Sequence, residues 1–259
     1  MISLKKHLQA EEAFNLSDSP ASSHSQAGIH GKVTIKDDQD NIILEKENLV
    51  TQATRVWLFE QLFKTNASLL MPSKYNYHHD DSRQICLLSV GSGGSDLNAN
   101  AFTPYVPVFS DVDLGQKVPF IIVDQDKYND NTAKANPSIV DKLTAEQTKL
   151  YYLPKQNPDG TIYYYGKRPD GYTDSKPYGT SRGFNIDTIT GDVSFTITFS
   201  INRNECRGNI INEMGLWLGK YNASANRYDN LNLATRLCFD PESLTSLTKE
   251  LTIDYTLYI

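Results

Sequence analysis

The chain is poor in the side chains on which thiol and metal chemistry usually rest, with three cysteines and five histidines among 259 residues. Cys86, Cys206 and Cys238 lie far apart and form no C-x-x-C pair, which argues against a zinc ribbon or a thioredoxin-like site. Cys86 sits in the apolar run 85–90 and Cys238 between Leu237 and Phe239, the surroundings of buried free thiols in a reducing compartment. No run of about 18 apolar residues occurs, so no membrane-spanning helix is expected. Lys5, Lys6 and His7 are not followed by the apolar stretch of a signal peptide, so synthesis and retention in a cytosol is the expectation. An excess of basic charge is missing too. The 25 basic residues are scattered among 31 acidic ones for a net charge of −6, whereas direct binding along nucleic acid needs clustered Lys and Arg.

Signatures of catalysis are equally scarce. Gly91-Ser92-Gly93-Gly94 follows an apolar run, but Ser95-Asp96 stands where a phosphate loop carries Gly-Lys-Ser/Thr. Asn98, Asn100, Pro104 and Pro107 then disfavour the helix whose N-terminus would meet a phosphate, so the glycines read as a turn. His78-His79-Asp80-Asp81 is a cluster of metal-type side chains, yet adjacent histidines point apart on a regular element. The pairs Asp111/Asp113 and Asp124/Asp126 do not continue into the glycine and distal Glu of a calcium loop and read as turn residues. No G-x-S-x-G, H-E-x-x-H or kinase motif occurs. The expectation is a protein that is not an enzyme and has no catalytic residues, cofactor or metal; a hydrolase with dispersed catalytic residues is the remaining enzymatic reading.

What is present is β patterning. Residues 32–36 alternate, residues 37–41 form a polar turn and residues 42–45 return, which predicts a hairpin over 31–50. Thr51 can cap a helix through Phe63, on which Ala53, Val56, Trp57, Leu58, Phe59, Leu62 and Phe63 form a wide apolar face expected to pack on a sheet. Residues 85–90 predict a buried strand, and residues 118–123 another, placed at an edge or strand start by Pro119. Residues 193–201 and 251–259 alternate over nine positions, the period of a half-buried antiparallel strand, with further strands at 213–218 and 234–239. A chain end this apolar must be paired inside a sheet, since such an edge would aggregate. The fold class that follows is mainly β, a β-sandwich-like antiparallel domain with one packed helix at 51–63.

Two segments depart from that pattern. Residues 1–30 contain Leu4, Leu8 and Phe14, then a Ser-rich stretch. They read either as a disordered tail or as an extended arm that orders on a partner. Residues 124–182 hold five prolines and eight of the fifteen tyrosines. They read as a long irregular insertion between the core segments 31–123 and 183–259, projecting from them with a hairpin of its own. Thr144 with Gln147 predicts a capping box, and Asn157-Pro158-Asp159-Gly160 a turn before residues 161–165. Phe14, Tyr151, Tyr152, Tyr163, Tyr164, Tyr165, Tyr172 and Tyr178 are the candidate interface residues, because tyrosine offers large amphipathic area at low entropic cost. The same tyrosines also suit sugar stacking, or a satellite cluster packed on its own domain.

The order of elements resembles a module of tailed-bacteriophage tail, baseplate and fibre-attachment proteins. The resemblance rests on Asn48-Leu49-Val50 before the apolar helix, on Leu88-Ser89-Val90-Gly91-Ser92-Gly93, and on Ile211-Asn212-Glu213-Met214-Gly215-Leu216-Trp217. Ala234-Thr235-Arg236 and the closing strand from Lys249 to Leu257 complete it. It covers residues 31–110 and 183–259, and implies a β-sandwich-like domain docked in a homo-oligomeric ring or symmetric array with other virion proteins. The implied localisation is the virion, assembled in the host cytoplasm. The arm and the tyrosine-rich segment depart from the family pattern and are the expected contact surfaces; a carbohydrate-binding module for host recognition is the alternative.

Overall fold

The computed structural model describes residues 29–63, 73, 82–96, 103–172, 183–189, 191, 193–241 and 250–258. The predicted hairpin forms from β1 (His30–Lys36) and β2 (Ile42–Val50), and α1 (Gln52–Phe63) follows. Asp37 closes the hairpin turn, its carboxylate accepting from the amides of Gln39 and Asn41. Next come β3 (Gln84–Gly91), β4 (Lys117–Val118) and β5 (Ile121–Val123). The expected strand over 118–123 is thus split at Pro119, whose ring nitrogen cannot donate to a ladder.

Residues 124–172 hold α2 (Gln125–Asn129), α3 (Thr132–Ala135), β6 (Ile139–Val140), α4 (Ala145–Leu150), β7 (Tyr151–Gln156) and β8 (Ile162–Lys167). The capping box is present in full: Thr144 accepts from the Gln147 amide while the Gln147 side chain accepts from the Thr144 amide. The turn at 157–160 joins β7 to β8 as its composition predicts, with Gly160 at a positive φ of 88°. β9 (Gly183–Ile186), β10 (Val193–Ile201), β11 (Glu213–Asn222), β12 (Arg227–Leu233), β13 (Thr235–Cys238) and β14 (Leu251–Tyr258) complete the fold.

These strands form one open, mainly antiparallel sheet in the order β6-β5-β8-β3-β11-β13-β2-β1-β14-β10-β9, with β4 also on β3, β7 on β8 and β12 on β11. β5 and β6 are the parallel pair. β13 carries the chain of pairings across the corner, bonded to β11 on one side and β2 on the other. The buried faces of β1, β10 and β14 (Val33, Ile35, Ile197, Phe199, Ile253, Tyr255) share one core with Leu88, Val90, Met214 and Leu216 of β3 and β11. That is the sandwich-like arrangement. The final strand lies between β1 and β10, so its apolar side chains and its ladder are both satisfied.

β3 and β11 are buried along most of their length on both faces. Their second faces, with Cys86, Leu87 and Trp217, pack in a separate cluster with Tyr152, Tyr228 and Leu233. Leu216 opposes Leu88 and Trp217 opposes Leu87, but Leu218 opposes Ile85, so Cys86 is an extra residue in β3. A bulge of this kind reverses the alternation. It is why Ile85 and Leu88 can share the main core although three residues apart.

Two expectations need correction. Residues 124–172 do not project as an irregular appendage. β8 is bonded to β5 at three positions and to β3 through Leu88 and Lys167, and the segment covers the second face of β3 and β11. The helix does not bury its whole apolar face either: Phe59, Leu62 and Phe63 are 49, 74 and 66% exposed, while Glu60 is buried. The first turn sets that rotation. The Thr51 amide and the Thr54 hydroxyl donate to the Ala234 carbonyl at 2.9 and 3.0 Å, and the Thr51 hydroxyl donates to the Leu233 carbonyl. With Ala53 and Thr54 held against the β12–β13 junction, the later apolar residues turn away from the sheet.

Candidate interaction surfaces

Three stretches distant in the sequence, residues 93–116, the start of β11 and β13, meet at one buried carboxylate. Glu213, fully buried at the start of β11, accepts from the amides of Gly93 (3.1 Å), Gly115 (3.0 Å) and Gln116 (2.9 Å). Arg236 on β13 donates to the same carboxylate at 2.8 Å and pairs with Asp111 at 3.1 Å. Asn212 extends the clamp, its side chain accepting from the Gly94 amide at 2.7 Å and donating to the Ser95 hydroxyl. A cluster of amides facing an anion is what a phosphate loop uses. Here the anion is the chain's own Glu213.

Glycine is required in this loop by close approach. A Cβ on Gly94 would lie 2.2 Å from the Asn212 carbonyl oxygen, and one on Gly93 would lie 2.4 Å from the Gln116 nitrogen. Asp111 and Asp113 pair with Arg236 and Lys117. Asp124 caps α2 by accepting from the Lys127 amide. Among the described residues no group of three or more His, Cys, Asp or Glu is placed to hold a metal. The pair His78/His79 lies outside the described residues.

The candidate tyrosines divide into three sets. Tyr151 and Tyr152 are buried, at 4 and 3% exposure, and so are withdrawn from any contact surface. Tyr151 donates its hydroxyl to Glu205, which is also paired with Lys167 at 2.8 Å and accepts from the Asn202 amide at 3.0 Å. Burial, reinforced by the Glu205 charge, pushes the Tyr151 hydroxyl well above its usual range, so it stays protonated as a donor. Lys167 also donates to the Ser200 carbonyl, which ties β8 to the end of β10.

Tyr152 and Tyr172 enclose Arg168, a buried residue immediately after β8. The guanidinium carbon lies 3.7 Å from the Tyr172 ring centroid, 4.3 Å from Tyr152, 4.5 Å from Tyr221 and 5.3 Å from Tyr228. Its Nε donates to the Tyr228 hydroxyl at 2.7 Å. Tyr152 meets Tyr228 edge to face at 5.0 Å, the favourable geometry for ring quadrupoles. This is the satellite-cluster reading of the tyrosines, with the difference that two of its rings come from β11 and β12. Arg168, Tyr221 and Tyr228 escaped the sequence reading, since residues so far apart carry no joint local signal.

Tyr163, Tyr164 and Tyr165 are half-buried on β8. Tyr164 packs on the main core, whereas Tyr163 and Tyr165 lie nearly parallel, with centroids 6.3 Å apart and 20° between planes. Phe14 and Tyr178 lie outside the described residues. Phe59, Leu62 and Phe63 are exposed together at the end of α1, where Phe59 and Phe63 touch at 4.7 Å between centroids. Trp57 and Leu58, nearer the helix start, line an apolar groove of about 270 Å³ with Phe195 and Leu257. Exposed contiguous apolar surface of this kind marks contact sites more often than isolated exposed residues do. No family model, curated protein or solved structure matches the chain.

Proposed function

We propose that this chain is a structural subunit of a tailed-phage particle (tail, baseplate, or neck, collar or fibre attachment), assembling with other virion proteins in a ring or symmetric array. The observation that carries the reading is the convergence of four of its five family-like motifs on one structural knot. Residues 91–94 are clamped by Asn212 and Glu213, Glu213 is held by Arg236, and Arg236 lies opposite Leu49 where β13 joins β2. Four motifs far apart in the chain thus form one unit, which is what a shared module requires. A rigid sheet with an apolar helix end on its surface suits a scaffold for subunit contacts, and the contact residues this favours are Phe59, Leu62 and Phe63. Mass spectrometry of purified particles tests the reading: the protein is expected in stoichiometric amount, and its absence from particles overturns the assignment.

A carbohydrate-binding host-recognition module is favoured by one observation, the parallel Tyr163 and Tyr165 rings, which resemble a platform for a sugar face. Glycan-array binding that is lost in Tyr163→Ala and Tyr165→Ala would support it. Particles that fail to assemble when Phe59 and Phe63 are replaced by Ser would support the structural role instead.

A further inference from the structure

Lys167 and Glu205 bring an amine nitrogen and a carboxyl carbon together where water has little access. Both side chains are 4% exposed, and the Lys167 Nζ lies 2.9 Å from Oε1 and 2.8 Å from Oε2 of Glu205. Oε2 also accepts from the Asn202 amide at 3.0 Å, and Oε1 accepts from the Tyr151 hydroxyl. Each carboxyl oxygen therefore has a donor of its own besides the lysine. Lys167 ends β8, whereas Glu205 follows β10 and is 38 residues further along the chain.

These groups are the ones that amide formation needs. In water an ammonium and a carboxylate do not condense, because hydration holds both in their charged forms. A dry site removes that hydration, and one proton passed from Nζ to Oε1 leaves a neutral amine against a neutral acid. Holding the two in contact replaces a bimolecular encounter. Donors already aimed at the carboxyl oxygens stabilise the charge that develops there when nitrogen adds to carbon. Burial keeps the Tyr151 hydroxyl protonated, so it has a proton to pass on.

We propose that Lys167 and Glu205 condense to an intramolecular isopeptide bond. The Nζ–Cδ bond forms, the Cδ–Oε1 bond breaks, and Oε1 leaves as water. Both protons of that water come from Nζ, the first by direct transfer and the second with the Tyr151 hydroxyl as relay. No oxidant or reductant takes part. During the addition step the negative charge on Oε2 faces the Asn202 amide. The amide product keeps one N–H, and the Ser200 carbonyl, which already accepts from Nζ, receives it. The bond fastens β8 covalently to the turn after β10, and so anchors the segment that covers β3 and β11. The proposal stands independently of the phage assignment.

Intact-mass spectrometry of the purified full-length protein under denaturing conditions tests it. The expected mass is one water below the sequence mass, and tryptic digestion is expected to release a branched peptide joining the Lys167 and Glu205 segments. Lys167→Arg keeps the positive charge but cannot form the bond, and is expected at its full sequence mass. An unsubstituted protein of full mass overturns the proposal. A water loss that maps elsewhere, such as to the Asp159-Gly160 turn, overturns it as well. The measurement on the unsubstituted protein decides the outcome even where Lys167→Arg fails to fold.

Discussion

β14 and β11 are both apolar interior strands of one sheet, yet they are buried in different ways. β14 buries Leu251, Ile253 and Tyr255 on its inner face; on the other face Thr252 and Thr256 remain partly open, and Asp254 between them is buried in a pair with Lys36. β11 buries seven consecutive residues, from Glu213 to Gly219. The second face of β11 is covered by Tyr152 and Leu153 of β7, together with Tyr228, Leu231 and Leu233 of β12. Part of the tyrosine-rich segment, through Tyr152 and Leu153, is thus the cover of a two-sided strand. A strand with one dry face needs only alternation, whereas a strand with two dry faces needs a third layer.

The largest effect expected from breaking this comparison is at Glu213. Glu213→Ala leaves Arg236 and three amides buried without their anion, a loss of about 3–5 kcal/mol on the scale of broken buried pairs. Urea unfolding measures it, and a change below about 1 kcal/mol would show that the clamp is not closed. Next comes the cover. Trp217→Ala on the second face is expected to cost about 3 kcal/mol, comparable to Phe199→Ala in the main core. A near-neutral Trp217→Ala would mean that residues 151–172 do not seal β11.

Gly94→Ala forces a Cβ into the Asn212 carbonyl, and a cost of about 1–3 kcal/mol is expected from that overpacking, read as a lowered thermal midpoint. A smaller effect is expected at Asp124. The Lys127 amide and ammonium, with the Thr161 hydroxyl, bring its carboxyl down to about 2. A lowered folded-state value stabilises the protein above the ordinary carboxyl range, and that contribution disappears as pH falls through about 4 towards 2. Asp124→Asn should therefore lower the thermal midpoint at pH 7 and converge with the unsubstituted protein near pH 2; a pH-independent difference would contradict the cap. Smallest of all is the exposed end of α1. Leu62→Ser with Phe63→Ser should change stability by less than about 0.5 kcal/mol while reducing self-association in sedimentation velocity.

Legibility in the sequence followed the range of the interaction. The hairpin of β1 and β2, the strand over 85–90, the β7–β8 turn and the Thr144 capping box were all readable, because each is built from residues within a few positions of one another. β12 was not readable, since Arg227-Tyr228-Asp229-Asn230-Leu231-Asn232 is polar at too many positions to look like a strand, and its pairing with β11 decides it. The clamp was half readable. The glycines announced a turn and excluded a phosphate loop, but nothing local says that Glu213 will supply the anion from 120 residues beyond Gly93.

The sequence by itself determined the β character of this protein, the period of its inner-facing strands, and the need to bury its final strand. Each of these is a property of side chains two residues apart, or of an apolar segment that water will not tolerate. Tertiary structure alone decided the strand order, the rotation of α1 that leaves Phe59, Leu62 and Phe63 outside, and the fate of the tyrosines. Those choices depend on which distant donor meets which acceptor. Thr51 with Leu233, Glu213 with Gly93 and Arg168 with Tyr228 are partners that only the assembled sheet brings within reach.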